Sequence, residues 1–175
     1  MESRGKQLKE LQILKKISFY SQRTIEWNTK LQSPRLIDQT RLPSRLSFVE
    51  CRRVSELVRA IKSMQIRGAP ALGVAGAMGI ALAARESKGN PKKLRRLALE
   101  LTNARPTAVN LSWGVEKALG FWENIASHAD ESDHIPELVS FAKNLADQDV
   151  EINKTLSNIG QSLIPDGSSV LTHCN

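Results

Sequence analysis

The stretch Ala69–Ala84, APALGVAGAMGIALAA, constrains the fold of this chain more than any other. It carries no charge, and Arg67 and Arg85 bracket it closely. A bilayer span needs about 20 apolar residues, so the stretch is too short to cross a membrane. It reads instead as a helix buried within a protein core. Gly73, Gly76 and Gly79 recur along it at three-residue steps. Each glycine costs about 1 kcal/mol relative to alanine in a helix interior. A row of them implies that another backbone passes close along that ridge. Leu72, Val74, Ile80 and Leu82 make the rest strongly apolar, which argues against a loosely specified Ala/Gly helix.

The elements that would surround this helix can be read on either side of it. Val54, Leu57, Val58, Ile61 and Met64 follow helical spacing and predict a helix over 53–65. An RGAP turn follows, and Pro70 fits the first turn of the central helix, which runs to about Ala84. Pro91 opens a further helix with Leu94, Leu97, Ala98 and Leu101 on one face. It ends by Ala104, because Arg105 precedes Pro106 and such a residue avoids the α region. Asn110 or Ser112 can cap the next helix, which runs to about His128. After a polar loop at 128–135, a long helix extends from Pro136 to about Leu163. Ahead of all these, 23–29 and 35–38 read as short strands of a small hairpin or meander, with 46–51 a possible third. Ser168–Thr172 reads as one more strand after the Pro165-Asp166-Gly167 turn. A single strand needs a sheet, and no sheet for it is visible in the chain.

Residues 1–22 are basic and place Leu8, Leu11 and Leu14 at helical spacing, as a short amphipathic extension would. They lack the continuous apolar core of a signal peptide, and Glu2 and Glu10 count against a transit peptide. The 175 residues suit one domain, and a 41% hydrophobic content is enough for a real core. The net charge of +7 points to an anionic partner: nucleic acid, a phosphorylated metabolite or a lipid surface. The basic residues are scattered, however. The densest run, Lys92-Lys93-Leu94-Arg95-Arg96, lies on a predicted helix as a solvated face, which disfavours a dedicated nucleic-acid site. Two cysteines, Cys51 and Cys174, cannot build a disulfide framework and fit a reduced, cytosolic setting.

Three segments could carry chemistry. In QIRGAPALG, Gly68 frees the backbone to turn and Pro70 presets the helix. The unpaired N–H groups of the helix start, the dipole behind them and Arg67 would suit a phosphate. An ordinary helix start with an exposed arginine fits the same residues. In RPTAVNLSWG, Arg105 is fixed by Pro106, and Thr107 offers a hydroxyl. A second arginine on a rigid turn could clamp the same anion. The plain alternative is a capped helix–loop–helix connection. In LTHCN, strand alternation puts Val170, Thr172 and Cys174 on one face and Leu171 and His173 on the other. His173 and Cys174 therefore do not form a nucleophile–base pair with each other. No second pair stands at zinc-ligand spacing. Cys174 at a strand's C-terminal end sits where open α/β sheets bind ligands, although a cysteine is more commonly a small buried hydrophobe.

Taken together, LIDQTRLP (36–43), IRGAPALG (66–73), RPTAVNLSWG (105–114) and DGSSVLTHCN (166–175) resemble the N-terminal half of the methylthioribose-1-phosphate isomerases of methionine salvage. The resemblance runs from about Arg23 to Asn175. Ribose-1,5-bisphosphate isomerases and regulatory subunits of a translation-initiation exchange factor share that superfamily. Pro70 and the VNLSW stretch favour the methylthioribose branch. The resemblance implies an aldose–ketose isomerase. Arg67 and the backbone of Gly68 and Ala69 would hold the substrate phosphate, Arg105 would assist, and Cys174 would be the catalytic thiol. It implies no metal and no other cofactor, a phosphorylated sugar as partner, a cytoplasmic homodimer and no membrane. The implied fold is a mainly α N-terminal domain (23–165) with a small β element in front. The final strand (166–175) would begin a Rossmann-like α/β domain. The family's general acid lies in that second domain, so these residues alone are expected to be catalytically silent.

Overall fold

Strand β1 (Ile25–Asn28), β2 (Ser33–Ile37) and β3 (Phe48–Glu50) pair in order as an antiparallel sheet, with Ile25 opposite Leu36 and Leu36 opposite Val49. The computed structural model describes residues 22–128 and 134–173. The readings made for residues 1–21, for most of the 128–135 loop and for Cys174 fall outside those residues. Alternation turns Ile25, Trp27 and Leu36 inward, all buried. The Asn28 side-chain carbonyl closes the β1–β2 turn by accepting the Lys30 and Leu31 N–H groups at 3.0 and 3.2 Å.

Five helices follow: α1 (Val54–Lys62), α2 (Ala69–Ser87), α3 (Pro91–Thr102), α4 (Val109–His128) and α5 (Ile135–Gly160), the last continued by a 3-10 turn at Gln161–Leu163. Helix α2 is the axis of the core: Leu72 to Ala84 are all buried, and every other helix and the inner sheet face pack around it. No helix among the described residues is long and apolar enough to cross a membrane.

The glycine ridge does what its spacing implied at two of its three positions. A Cβ on Gly73 would stand 3.3 Å from the Asn110 carbonyl oxygen, and one on Gly76 would stand 2.6 Å from that of Leu111. Both contacts are to the α4 backbone. Gly79 faces side chains instead, with a Leu101 methyl 2.8 Å from the position a Cβ would take. The facing partner on α4 is Gly114, whose Cβ would fall 2.0 Å from the Gly73 carbonyl oxygen.

Several expectations need correction. Helix α1 stops at Lys62 because Met64 takes a left-handed conformation (φ 62°), and the Gln65 N–H bonds back to the Ala60 carbonyl at 2.9 Å. Helix α2 continues past Ala84 to Ser87. Its Arg85 is drawn in by main-chain carbonyls, donating to those of Leu31 (3.2 Å), Gln32 and Arg52 (2.7 Å). Neither Asn110 nor Ser112 caps α4. The helix begins earlier, at Val109, and the Ser112 hydroxyl donates to the Val109 carbonyl at 2.8 Å. Ser168–His173 forms no strand: nothing among the described residues pairs with it, and Leu171 is 97% exposed. A strand exists through its ladder bonds, and these have no partner here.

Candidate anion-binding site

Gly68 makes the turn into α2 at φ 91° and ψ 132°, a conformation open to glycine and strained for other residues. The first backbone bond of the helix runs from the Leu72 N–H to the Gly68 carbonyl, 3.0 Å. Pro70 has no N–H, so Ala69 and Ala71 supply the donors ahead of the ladder, at the positive end of the dipole. Arg67, exposed, stands immediately before them.

The connection from α3 to α4 reaches the same place. Its turn is held by the Ala108 N–H donating to the Arg105 carbonyl at 2.9 Å, and it is anchored by buried Ala104 and Leu111. A cavity of about 430 Å³ results, lined by Arg67, Gly68, Ala69, Arg105, Thr107 and Asn110 among others. Residues far apart in sequence, which the family resemblance had named together, thus line one cavity. Among the described residues neither Arg67 nor Arg105 has an acidic partner within 4.0 Å. The densest basic run behaves differently: Arg95 pairs with Glu123 at 2.9 Å and Arg96 with Glu100 at 2.8 Å. Two guanidiniums and the backbone donors at the start of α2 therefore share one cavity, a set of groups that suits an oxyanion. Among the described residues, none that lines the cavity is an Asp, Glu, His or Cys, so these residues offer cations and backbone donors but no group that exchanges a proton near neutral pH.

The remaining candidates lie elsewhere. Cys174 is outside the described residues, and His173 is exposed and away from the cavity lining. Cys51 is fully buried. Burial first, then the nearby Glu56 and Glu50, push its thiol up to about 12, so it stays protonated and serves as packing. Sequence reasoning missed the loop after β2. Asp38 is buried there, and Thr40 and Gln65 donate to its carboxylate. Burial pushes this carboxyl up, but those hydrogen bonds and Arg41 outweigh it and hold the group below its ordinary 3.8. The only signal in the sequence was the LIDQT segment itself, with no partner in view.

Residues 65–175 match the family model described as the initiation factor 2 subunit family. The methylthioribose-1-phosphate isomerase of Thermotoga maritima is 40% identical over 156 residues, covering 87% of this chain and 44% of that protein. The crystal structure of 5-methylthioribose 1-phosphate isomerase from Pyrococcus horikoshii superposes with a TM-score of 0.74 at 35% identity, covering 83% of this chain and 41% of that one. The translation initiation factor eIF-2B delta subunit from A. fulgidus superposes with a TM-score of 0.70 at 41% identity, covering 89% and 45%. This chain therefore spans less than half the length of each of these relatives. With more than half of its residues matched by the family model and this fold shared with both solved structures, the chain belongs to the initiation factor 2 subunit family.

Proposed function

We propose that this chain is the phosphate-holding part of an aldose–ketose isomerase of methionine salvage that converts 5-methylthioribose 1-phosphate to 5-methylthioribulose 1-phosphate. The supporting observation is the convergence of Arg67, the Gly68–Ala69 backbone and Arg105 on one cavity, in a chain similar to isomerases of that name. In this reading the Arg67 guanidinium and the Ala69 N–H bind the phosphate, and Arg105 closes on it from the α3–α4 turn. An anomeric phosphate blocks ordinary ring opening. The ring oxygen must gain a proton as the C1–O bond breaks, and hydrogen must then pass from C2 to C1. The reading assigns the thiol of that chemistry to Cys174. It assigns the acid to a group beyond the cavity lining, in a Rossmann-like domain. A cytoplasmic homodimer that needs no cofactor belongs to the same proposal.

Calorimetric titration with 5-methylthioribose 1-phosphate tests it. Saturable binding is expected, weakened at least tenfold by Arg67→Ala, the loss of a charged hydrogen bond worth about 1.5–3 kcal/mol. Binding that is absent, or indifferent to Arg67, would sink the assignment. Ribose 1,5-bisphosphate in parallel decides the substrate: tighter binding of the bisphosphate moves the reading to the related isomerase. Similarity to the eIF-2B delta subunit supports a second reading, a docking module without catalysis, and that reading predicts no sugar-phosphate binding at all.

A further inference from the structure

The loop after β2 grips the turn that carries Arg67. The Gln39 N–H donates to the Gln65 carbonyl at 2.9 Å, and the Gln39 side-chain amide donates to the Arg67 carbonyl at 3.3 Å. The Gln65 amide in turn donates to the Asp38 carboxylate at 3.1 Å. Asp38 is itself fixed, its other oxygen accepting the Thr40 N–H at 3.1 Å and the Thr40 hydroxyl at 2.6 Å. A buried carboxylate is costly unless fully hydrogen-bonded, and this one spends its bonds on a four-residue turn and its own loop. The carbonyl that Gln39 holds, next to Asp38 in that loop, belongs to the Arg67–Gly68 peptide plane. That plane sets both the direction in which Arg67 leaves the backbone and the positive φ with which Gly68 enters α2.

We infer that Asp38 and Gln39 are positioning residues for the anion site: they hold the Gln65–Gly68 main chain so that Arg67 and the first N–H groups of α2 face one point. The inference rests on the phosphate reading of Arg67. Gln39 acts through that arginine and not on the ligand. It lines a neighbouring cavity of about 560 Å³ that shares Arg67 and Gly68 but lies outside the anion cavity's lining. Asp38 lines neither cavity.

A double-mutant cycle separates positioning from general stability. Affinity for ribose 1-phosphate is measured by calorimetry on the folded chain, with Asp38→Ala, Gln39→Ala and Asp38→Asn each made with and without Arg67→Ala. Positioning predicts a weakening of about five- to tenfold for Asp38→Ala and Gln39→Ala when Arg67 is present, and a clearly smaller loss, about twofold, when only the N–H groups of α2 remain. Asp38→Asn is expected to keep affinity within about twofold, because its carbonyl still serves Thr40 and its amide pairs with a flipped Gln65 amide. Gln39→Ala removes one half-exposed side chain and carries the test should Asp38→Ala fail to fold. If Gln39→Ala leaves affinity unchanged while Arg67→Ala lowers it, the inference is wrong and the phosphate reading stands. Equal losses in both backgrounds would also overturn it, by assigning the loop to overall stability. If Arg67→Ala changes nothing, the phosphate reading fails and the inference falls with it.

Discussion

Two glycines of α4 show how a single residue's surroundings decide the sign of a substitution. Gly114 meets the Gly73 carbonyl oxygen where its Cβ would be, at 2.0 Å, and backbone on both sides leaves nothing flexible to yield. Gly114→Ala should destabilise the fold by about 3 kcal/mol or more, the upper range for overpacking. Gly120 is exposed with nothing within 4 Å of a new Cβ. There, Gly120→Ala should stabilise by about 0.5–1 kcal/mol through helix propensity alone. Urea unfolding of the two variants, which differ only in position on one helix, checks both signs at once. Asp38 yields a pH prediction at the same scale. Its carboxyl is held below 3.8 in the folded state, so the stabilisation is complete above that value and is lost as pH falls through the folded pKa. The stability difference between the protein and Asp38→Asn should therefore shrink on acidification below about pH 4. A difference that stays constant from neutral pH down to acid unfolding would show that the charge contributes nothing.

Among elements, α5 changes character along its length. Its first half buries Leu138 and Ala142, and the Arg23 guanidinium ties it to the strand region by donating to the Ala146 carbonyl at 3.1 Å and pairing with Asp147 at 2.7 Å. From Glu151 to Ile159 every residue is exposed, Ile152, Leu156 and Ile159 included. Few tertiary contacts mean low local stability. Amide hydrogen exchange should be slow in α2 and the first half of α5 and much faster beyond Val150; uniform protection along α5 would contradict this. The existence of α5, and of the other helices, was legible because it rests on local signals: apolar spacing, Pro70, Pro91 and Pro136 at helix starts, and glycine at the turn into α2. What was not legible depended on partners distant in the chain. Gly114 looks ordinary until α4 is laid on Gly73. Asn110 and Ser112 carry capping side chains, yet the main-chain turn at Arg105–Ala108 starts the helix ahead of both. The anion site divides the same way. The types of Arg67, Gly68 and Arg105 suggested an anion clamp but fitted an ordinary helix start and a capped connection as well, and the family resemblance joined them. Asp38 and Gln39, by contrast, reach the same turn through bonds that span 27 and 28 residues.

At the scale of the whole molecule, the excess of +7 is less informative than where charge is left uncompensated. Arg23, Arg35, Arg95 and Arg96 all have carboxylate partners, and Arg85 is absorbed by main-chain carbonyls. Among the described residues Arg67 and Arg105 have no acidic partner within 4.0 Å and line one cavity, so two of the cations left uncompensated lie together at one place. Among the described residues the lining contains cations and backbone donors but no acid–base group. This chain is accordingly predicted to bind 5-methylthioribose 1-phosphate without turning it over. At about a hundredfold excess of ester over its Kd, bound ligand should add about 2.7 kcal/mol to unfolding stability, seen as a raised melting temperature, and a tenfold weakening by Arg67→Ala should cut that to about 1.4 kcal/mol or less. Product formation, followed by NMR of the sugar carbons under the same conditions, should stay at the uncatalysed level. Turnover that Cys174→Ser removes would instead mean that the acid resides within these 175 residues, at a place the cavity lining does not reveal. The two readouts are independent because phosphate capture needs only a fixed cationic pocket, whereas moving hydrogen between C2 and C1 needs groups of opposed protonation state beside the sugar carbons.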